Sequence, residues 1–362
     1  MLNFLTSKPQ NVVAVGDAFV SCETMKEALQ TSKINIAKIS TAFWGTPDKE
    51  EFTKRQLNIE KNGPKAETYA EGLDNLITDA DVLINHFSPI PDTLIKKATR
   101  LKLILTCRGG LENIDVAAAS KRNIPVVNVI RNAIPVAEFA LGLILSVTRN
   151  IASSHRLLMD GKWEKNYPNS NSLTTLANLK VGLAGLGNVG IELATRLKAL
   201  GVPMIAFDKY LSMDRLKRNG LENIELVSSL EELFRRADIV SMHLRLTPET
   251  KQLVDKRYFS IMKPTAYFIN TSRGGLINQD DLIDVLSRHA IAGAALDVFN
   301  TEPIPANSAL LNFDNVVLTP HIAGTTVDAI PKSPFLLINE LNKIMTKGTT
   351  ERIVNLDKIN IG

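Results

Sequence analysis

The chain has 362 residues, longer than most single hydrophobic cores, so two globular units are expected. With 44% hydrophobic and 22% charged residues it has the composition of an ordinary soluble protein; a net charge of +4, from 42 basic against 38 acidic residues, leaves little excess for a phosphate backbone and excludes nucleic acid as the expected partner. Cys22 and Cys107, the two cysteines, cannot build a disulfide framework and have no metal-ligand cluster around them, so both read as reduced thiols of a cytoplasmic protein, with no metal.

The opening segment "MLNFLTSKPQNVVAVGD" places one lysine before a short apolar run that fits a first strand, without the small-residue pattern of a cleavable leader. "NVVAV", "INIAKI", "DVLIN", "LKLILT" and "IPVVNV" then read as strands, separated by helical stretches such as "TMKEALQ" and "TLIKKAT". That alternation predicts a parallel sheet with helices on both faces. From Ala133 to about Gly161 the pattern changes to one long helix, with Val136, Phe139, Ala140, Leu143 and Val147 at helical spacing. At about 25 residues it would reach roughly 40 Å, enough to bridge two units. Its apolar run contains Glu138 and is too short to cross a bilayer, so no membrane insertion is expected. A polar loop, "NYPNSNSLTTLANL", leads into a second alternating series: "KVGLAGL", "PMIAFD", "IELV", "DIVSMHL", "TAYFIN", "IAGAALDVF" and "VVLT". The last segment, from Thr325, reads as one helix and a tail that packs back on the first unit.

The second series opens on "VGLAGLGNVG", which sets Gly185, Gly187 and Gly190 in GxGxxG spacing between a strand and a helix. The first glycine permits the tight turn, the second lets backbone approach a pyrophosphate, and the third lets helix pack on strand. The helix N-terminus then offers free N–H groups and partial positive charge to the phosphates. Asp208 ends the next strand, where a carboxylate accepts bonds from the adenosine ribose hydroxyls and repels a 2′-phosphate, so NAD is favoured. Lys209 and Arg245 weaken that preference and leave NADP open.

Further polar groups follow at predicted strand ends: Arg273 in "NTSRGG", Glu302 in "LDVFNTEP" and His321 in "LTPHIAG". Loops beyond the carboxyl ends of parallel strands line one crevice, so these residues converge although distant in sequence. The set suits oxidation of a 2-hydroxy acid. Arg273 grips the substrate carboxylate bidentately and polarises the C2 oxygen, with Gly274 and Gly275 keeping side chains out of the way. His321 takes the hydroxyl proton as general base, and Glu302 bonds its other ring nitrogen and stabilises the charged form. His155, His243 and His289 read as structural; His86 does too, with a place at the cleft border as the alternative.

These motifs resemble those of the D-isomer-specific 2-hydroxyacid dehydrogenases, which include D-lactate, D-glycerate and D-3-phosphoglycerate dehydrogenases. The likeness runs from "NVVAVGD" to the closing helix and is strongest in "VGLAGLGNVG", "HLRLTPET", "MKPTAYFINTSRGGLIN", "AALDVFNTEP" and "TPHIAG". It implies two Rossmann-like or flavodoxin-like parallel-sheet α/β domains: a discontinuous substrate domain, residues 1–128 and 325–362, and an NAD-binding domain, 129–324, inserted in it. It implies that Asn188 and Val189 present backbone to the pyrophosphate, that Asp297 holds the nicotinamide carboxamide, and that Thr271, Ser272, Arg273, His321 and Gly324 line the same cofactor. "LTCRGGLENID" is similar to the family's carboxylate-binding glycine loop, here Gly109 and Gly110, and Asn132 matches its asparagine beside the cleft. Arg108 stands where many members have a small residue, and is read either as an extra cation facing substrate or as a surface arginine. The resemblance further implies a homodimer paired through the Ala133–Gly161 region and hinges near Val127–Asn132 and Gly324. A dinucleotide-sensing corepressor or scaffold of the same fold is the rival reading; a formate-type enzyme would carry glutamine in place of Glu302. "LINHFSPIPD" lacks the basic cluster of phosphoglycerate enzymes, so phosphoglycerate is not the first expectation.

Overall fold

The computed structural model describes residues 2–46 and 48–360, and the chain divides into two compact units, Met1–Arg131 with Thr326–Gly362, and Asn132–Thr325. The first carries β1 (Gln10–Gly16), β2 (Ile36–Phe43), β3 (Val82–Asn85), β4 (Leu103–Thr106) and β5 (Val126–Asn128), all parallel, in the order β2-β1-β3-β4-β5. Because side chains alternate along a strand, Val13, Val15, Leu83 and Ile104 enter one core and Val12, Ala14, Ile84 and Leu105 the other. Both faces of β1, β3, β4 and β5 are covered, which is why these strands read as apolar runs, whereas the edge strand β2 is largely exposed. The C-terminal helix, Ser333–Lys347, supplies Leu337, Ile338, Leu341 and Ile344 to the second of these cores. Beyond it the buried Asn355 accepts a bond from the Val126 N–H at 2.9 Å and donates to the Ile124 carbonyl at 3.0 Å.

The second unit holds β6 (Val181–Ala184), β7 (Met204–Phe207), β8 (Glu225–Leu226), β9 (Ile239–Met242), β10 (Tyr267–Asn270), β11 (Gly293–Leu296) and β12 (Val316–Leu318). They form one parallel sheet, β12-β11-β10-β9-β6-β7-β8. The chain runs outward from β6 in one direction and returns to continue from β9 in the other, so the switch point lies between β6 and β9, where open α/β sheets hold their ligands.

The long helix expected from Ala133 to Gly161 is in fact two, Ala133–Thr148 and Ile151–Met159, bent by 65°. Asn150 sits at φ +56°, a left-handed conformation that asparagine tolerates better than most residues, and its amide donates to Asn169 Oδ1 at 2.8 Å. Helical periodicity continues through such a break because one residue turns the axis without changing the apolar pattern. The first of the two helices does not serve as a bridge. Ala137, Ala140, Leu143, Ile144 and Val147 pack into the second unit's own core against Leu183, Ile269 and Ala295. Among the described residues, no single helix is long and apolar enough to cross a membrane.

Candidate active site

The turn after β6 is built as its glycines require. Gly185 adopts φ +100°, and a Cβ on Gly190 would lie 2.2 Å from the Gly185 carbonyl oxygen, so neither position accepts a side chain without moving backbone. Gly187 differs: a Cβ there would meet nothing within 4 Å, which makes this stretch an open face rather than a packed one. The helix Asn188–Ala199 starts there with no side-chain cap, leaving its N-terminus available to an anion. Arg215, which the sequence reading passed over, donates to Asn188 Oδ1 at 2.9 Å and brings a guanidinium to that helix start. Asp208, just beyond β7, accepts from the Leu186 N–H at 2.7 Å and the Tyr210 N–H at 2.8 Å. Its carboxylate is therefore fixed against the glycine turn, with lone pairs to spare for ribose hydroxyls.

Arg273, Glu302 and His321 follow β10, β11 and β12, three adjacent strands, all at the carboxyl edge. Glu302 Oε2 lies 2.7 Å from His321 Nδ1, and Glu302 Oε1 accepts from the Phe299 N–H at 2.9 Å. The carboxylate thus binds its own loop with one oxygen and the imidazole with the other. Since Nδ1 donates to Glu302, Nε2 is the nitrogen left to accept a proton. Arg273 is exposed and donates from Nη1 to the Ser272 carbonyl at 2.7 Å, with its loop tied back by Asn270, whose amide bonds the Arg273 carbonyl at 3.1 Å. The purpose expected of Gly274 needs correcting. A Cβ there would stand 2.1 Å from the carbonyl carbon of Phe299, so this glycine lets the arginine loop seat on the loop that carries Glu302. Gly275 faces the Leu246 side chain, 3.1 Å from its would-be Cβ.

Asp297, which the resemblance assigned to the nicotinamide carboxamide, is also engaged within the fold. It is fully buried, and its oxygens accept from Thr319 Oγ1 at 2.6 Å, the Ile322 N–H at 2.9 Å and the Ala323 N–H at 2.9 Å. These bonds tie it to the segment in which His321 takes φ +55°. Ser272 is committed as well, its hydroxyl donating to the Met242 carbonyl at 2.6 Å. Thr271 is not: its buried Oγ1 has no hydrogen-bond partner, the kind of orphan that a bound group satisfies. Gly324 faces Asn132, whose Nδ2 would be 3.6 Å from an added Cβ. These two motifs, far apart in sequence, are neighbours in the second unit. The open glycine turn, the uncapped helix, the fixed Asp208 and the unpaired Thr271 together fit a dinucleotide.

In the first unit, Gly109 and Gly110 follow β4, and Asn128 donates to the Gly109 carbonyl at 3.1 Å. Arg108 is not the surface arginine of the second reading. Its side chain is 7% exposed, pairs with Glu60 at 3.1 Å and Glu112 at 3.3 Å, and lies 3.3 Å over the Phe87 ring. Burial lowers its pKa, and the two glutamates oppose that. The cation is turned inward against an aromatic face, with Nη2 paired to two carboxylates and Nε and Nη1 buried without a partner. Beside it a buried chain of contacts escaped the sequence reading. His86 Nδ1 sits 2.7 Å from Asp17 Oδ2, and His86 Nε2 contacts Arg131 Nη1, which also donates to the Cys107 carbonyl at 3.3 Å. Burial holds His86 below its ordinary pKa despite Asp17. The only sequence signal was position: Asp17, His86, Arg108 and Arg131 each follow a strand of one parallel sheet. His243 is half-buried, with Nε2 2.9 Å from Ser241 Oγ.

An α/β unit with a glycine turn at its switch point and an acid–imidazole pair on its rim defines a class: nucleotide-dependent oxidoreductases of the doubly wound type. The profile described as D-isomer specific 2-hydroxyacid dehydrogenase, NAD binding domain, matches residues 141–323. A D-3-phosphoglycerate dehydrogenase of Methanocaldococcus jannaschii is 35% identical over 80% of this chain and 54% of its own length. A glyoxylate reductase of Thermofilum pendens is 37% identical over 79% of this chain and 84% of its own. The chain thus spans about half the length of the phosphoglycerate relative and most of the other. In fold it is similar to the NAD complexed form of the D-isomer specific 2-hydroxyacid dehydrogenase from Lactobacillus delbrueckii ssp. bulgaricus, with TM-score 0.70, 21% identity, and coverage of 95% and 100% of the two chains. The chain belongs to the D-isomer-specific 2-hydroxyacid dehydrogenase family, and its second unit contains that family's NAD binding domain.

Proposed function

We propose that the protein is an NAD-dependent oxidoreductase that interconverts a D-2-hydroxy acid and its 2-oxo acid. The observation that carries this reading is the 2.7 Å contact between Glu302 and His321 beside the arginine loop, on the rim that also bears the glycine turn. Bound NAD supplies the hydride acceptor, or as NADH the donor. The remaining chemistry falls to the chain. Arg273 binds the substrate carboxylate and draws electron density from the C2 oxygen. His321 Nε2 removes the hydroxyl proton during oxidation and returns it during reduction. Glu302 fixes the tautomer through Nδ1 and offsets the positive charge that the ring acquires. In this reading the turn from Gly185 to Gly190, with Asn188 and Val189, takes the pyrophosphate, Asp208 the ribose, and Thr271 the nicotinamide end. Gly109 and Gly110 take the substrate's carboxylate end, so the discontinuous unit is the substrate domain and the other the nucleotide domain. The same reading makes the protein a cytoplasmic homodimer. Exposed Ile151, Leu158, Met159 and Trp163, on and after the second helix of the broken pair, support pairing there.

A panel of 2-oxo acids with NADH and NADPH, followed by nicotinamide absorbance, tests the proposal. Turnover abolished in His321→Ala and strongly reduced in Arg273→Ala is the expected result. Tight NADH binding with no turnover across the panel would instead identify a dinucleotide sensor.

A further inference from the structure

Arg131 is largely withdrawn from solvent, yet it makes no ion pair among the described residues. Burial and then Arg108 push its pKa down to about 10, so the guanidinium remains charged at neutral pH but strained by desolvation. Its bonds run through Nη1 alone, to His86 Nε2 and the Cys107 carbonyl. Nε and Nη2, which share the opposite edge of the guanidinium plane, have no partner among the described residues and are not sealed from solvent. That edge presents two parallel N–H groups, the fork that matches a carboxylate. The orientation is imposed from behind. Asp17 also accepts from the backbone of Phe19, Val20 and Phe87, so it is rigid, and it takes the His86 Nδ1 proton. His86 is thereby left with Nε2 as an acceptor that only a donor such as Arg131 satisfies. The Cys107 carbonyl, two residues before Gly109, ties the same guanidinium to the glycine loop.

We propose that Arg131 is a specificity-determining residue that holds a second carboxylate on the substrate, with His86 and Asp17 as its positioning residues, so that the preferred substrates are dicarboxylic 2-oxo acids. This rests on the reading that Gly109 and Gly110 take the first carboxylate. Charge favours a carboxylate over a phosphate. Asp17, Arg108 and Arg131 are withdrawn from water and sum to one positive charge, while Glu60 and Glu112, 39% and 37% exposed, are screened but would still oppose a dianion.

The test uses the full chain with NADH and compares oxaloacetate and 2-oxoglutarate with pyruvate, with phosphohydroxypyruvate as the phosphate arm. The wild type should favour a dicarboxylate in kcat/KM. R131Q should lower the dicarboxylate-to-pyruvate ratio about 10- to 100-fold, the value of a charged hydrogen-bonded pair, and R131K, which keeps charge without the fork, should recover part of it. His86→Phe should raise KM for the dicarboxylate far more than it lowers kcat, a split that general destabilisation would not give. A wild-type preference for pyruvate or phosphohydroxypyruvate, or an unchanged ratio in R131Q, overturns the inference alone; the wild-type comparison decides even if a variant does not fold. Failure of every 2-oxo acid to react overturns the dehydrogenase reading and this inference with it.

Discussion

Replacing Asp297 by asparagine separates two accounts of that residue, as a cofactor contact and as an anchor for the His321 segment. Oδ1 accepts from Thr319 and Ile322, and Oδ2 accepts from Ala323. An asparagine can keep its carbonyl at the first position only by turning its amide toward the Ala323 N–H, donor against donor. Ala323 is 4% exposed, so no bulk water relieves the clash. Leaving one buried N–H unpaired, together with the loss of charge assistance at the other bonds, costs about 2–4 kcal/mol. For a unit of this size that is a fall of roughly 5–15 °C in melting temperature. The assay is thermal unfolding without cofactor, paired with NADH titration by fluorescence and with steady-state turnover. An anchor predicts a lower melting temperature and reduced kcat, because the strained His321 backbone relaxes and Nε2 leaves its position. Unchanged melting with weakened NADH binding would refute this reasoning and restore the cofactor role.

Gly274→Ala should lower kcat at least tenfold with NADH affinity largely kept, since its Cβ, 2.1 Å from the Phe299 carbonyl carbon, forces the arginine loop away from the Glu302 loop; steady-state kinetics with an unperturbed NADH titration checks it. His243 is half-buried without a charged partner and its pKa is pushed down to about 4 by burial. Its folded pKa lies below the unfolded value, so the contribution is fully present above about pH 6.5 and is lost as pH falls toward 4, amounting to about 3 kcal/mol. Urea unfolding of His243→Gln at pH 7 and pH 4.5 should show a shallower acid loss than the wild type; equal slopes would exclude His243 as the cause.

Where the sequence was read successfully, the reason was periodicity or a local backbone demand. Most of the twelve parallel strands showed as apolar runs because both sheet faces are buried, the exposed edge strands β2 and β8 excepted, and Gly185 and Gly190 showed because no other residue fits those positions. The placement of Arg273, Glu302 and His321 on one edge followed from their positions after strands, which a parallel sheet converts into proximity. What was misread depended on direction. Whether Arg108 points outward or whether a helix turns at Asn150 is decided by neighbours that come from elsewhere in the chain: Glu60 and Phe87, Asn169. No spacing rule carries those.

The two arginines of the first unit show how that missing information bears on function. By sequence, Arg108 was the conspicuous one, standing in a glycine loop, and Arg131 was unremarked. In the structure Arg108 has two partly exposed carboxylates and a ring beside it, with its Nε and Nη1 buried and without a hydrogen-bond partner. Arg131 has one edge held by neutral groups and the other without a partner. A desolvated charge is costly unless something compensates it: Arg108 has two carboxylates for its charge, whereas Arg131 has no ion pair among the described residues and keeps one edge open to a ligand. The same test sorts the acids of the second unit: Asp297 has all of its bonds inside the fold, whereas Glu302 has given one oxygen to its loop and the other to the imidazole whose remaining nitrogen is free to exchange a proton.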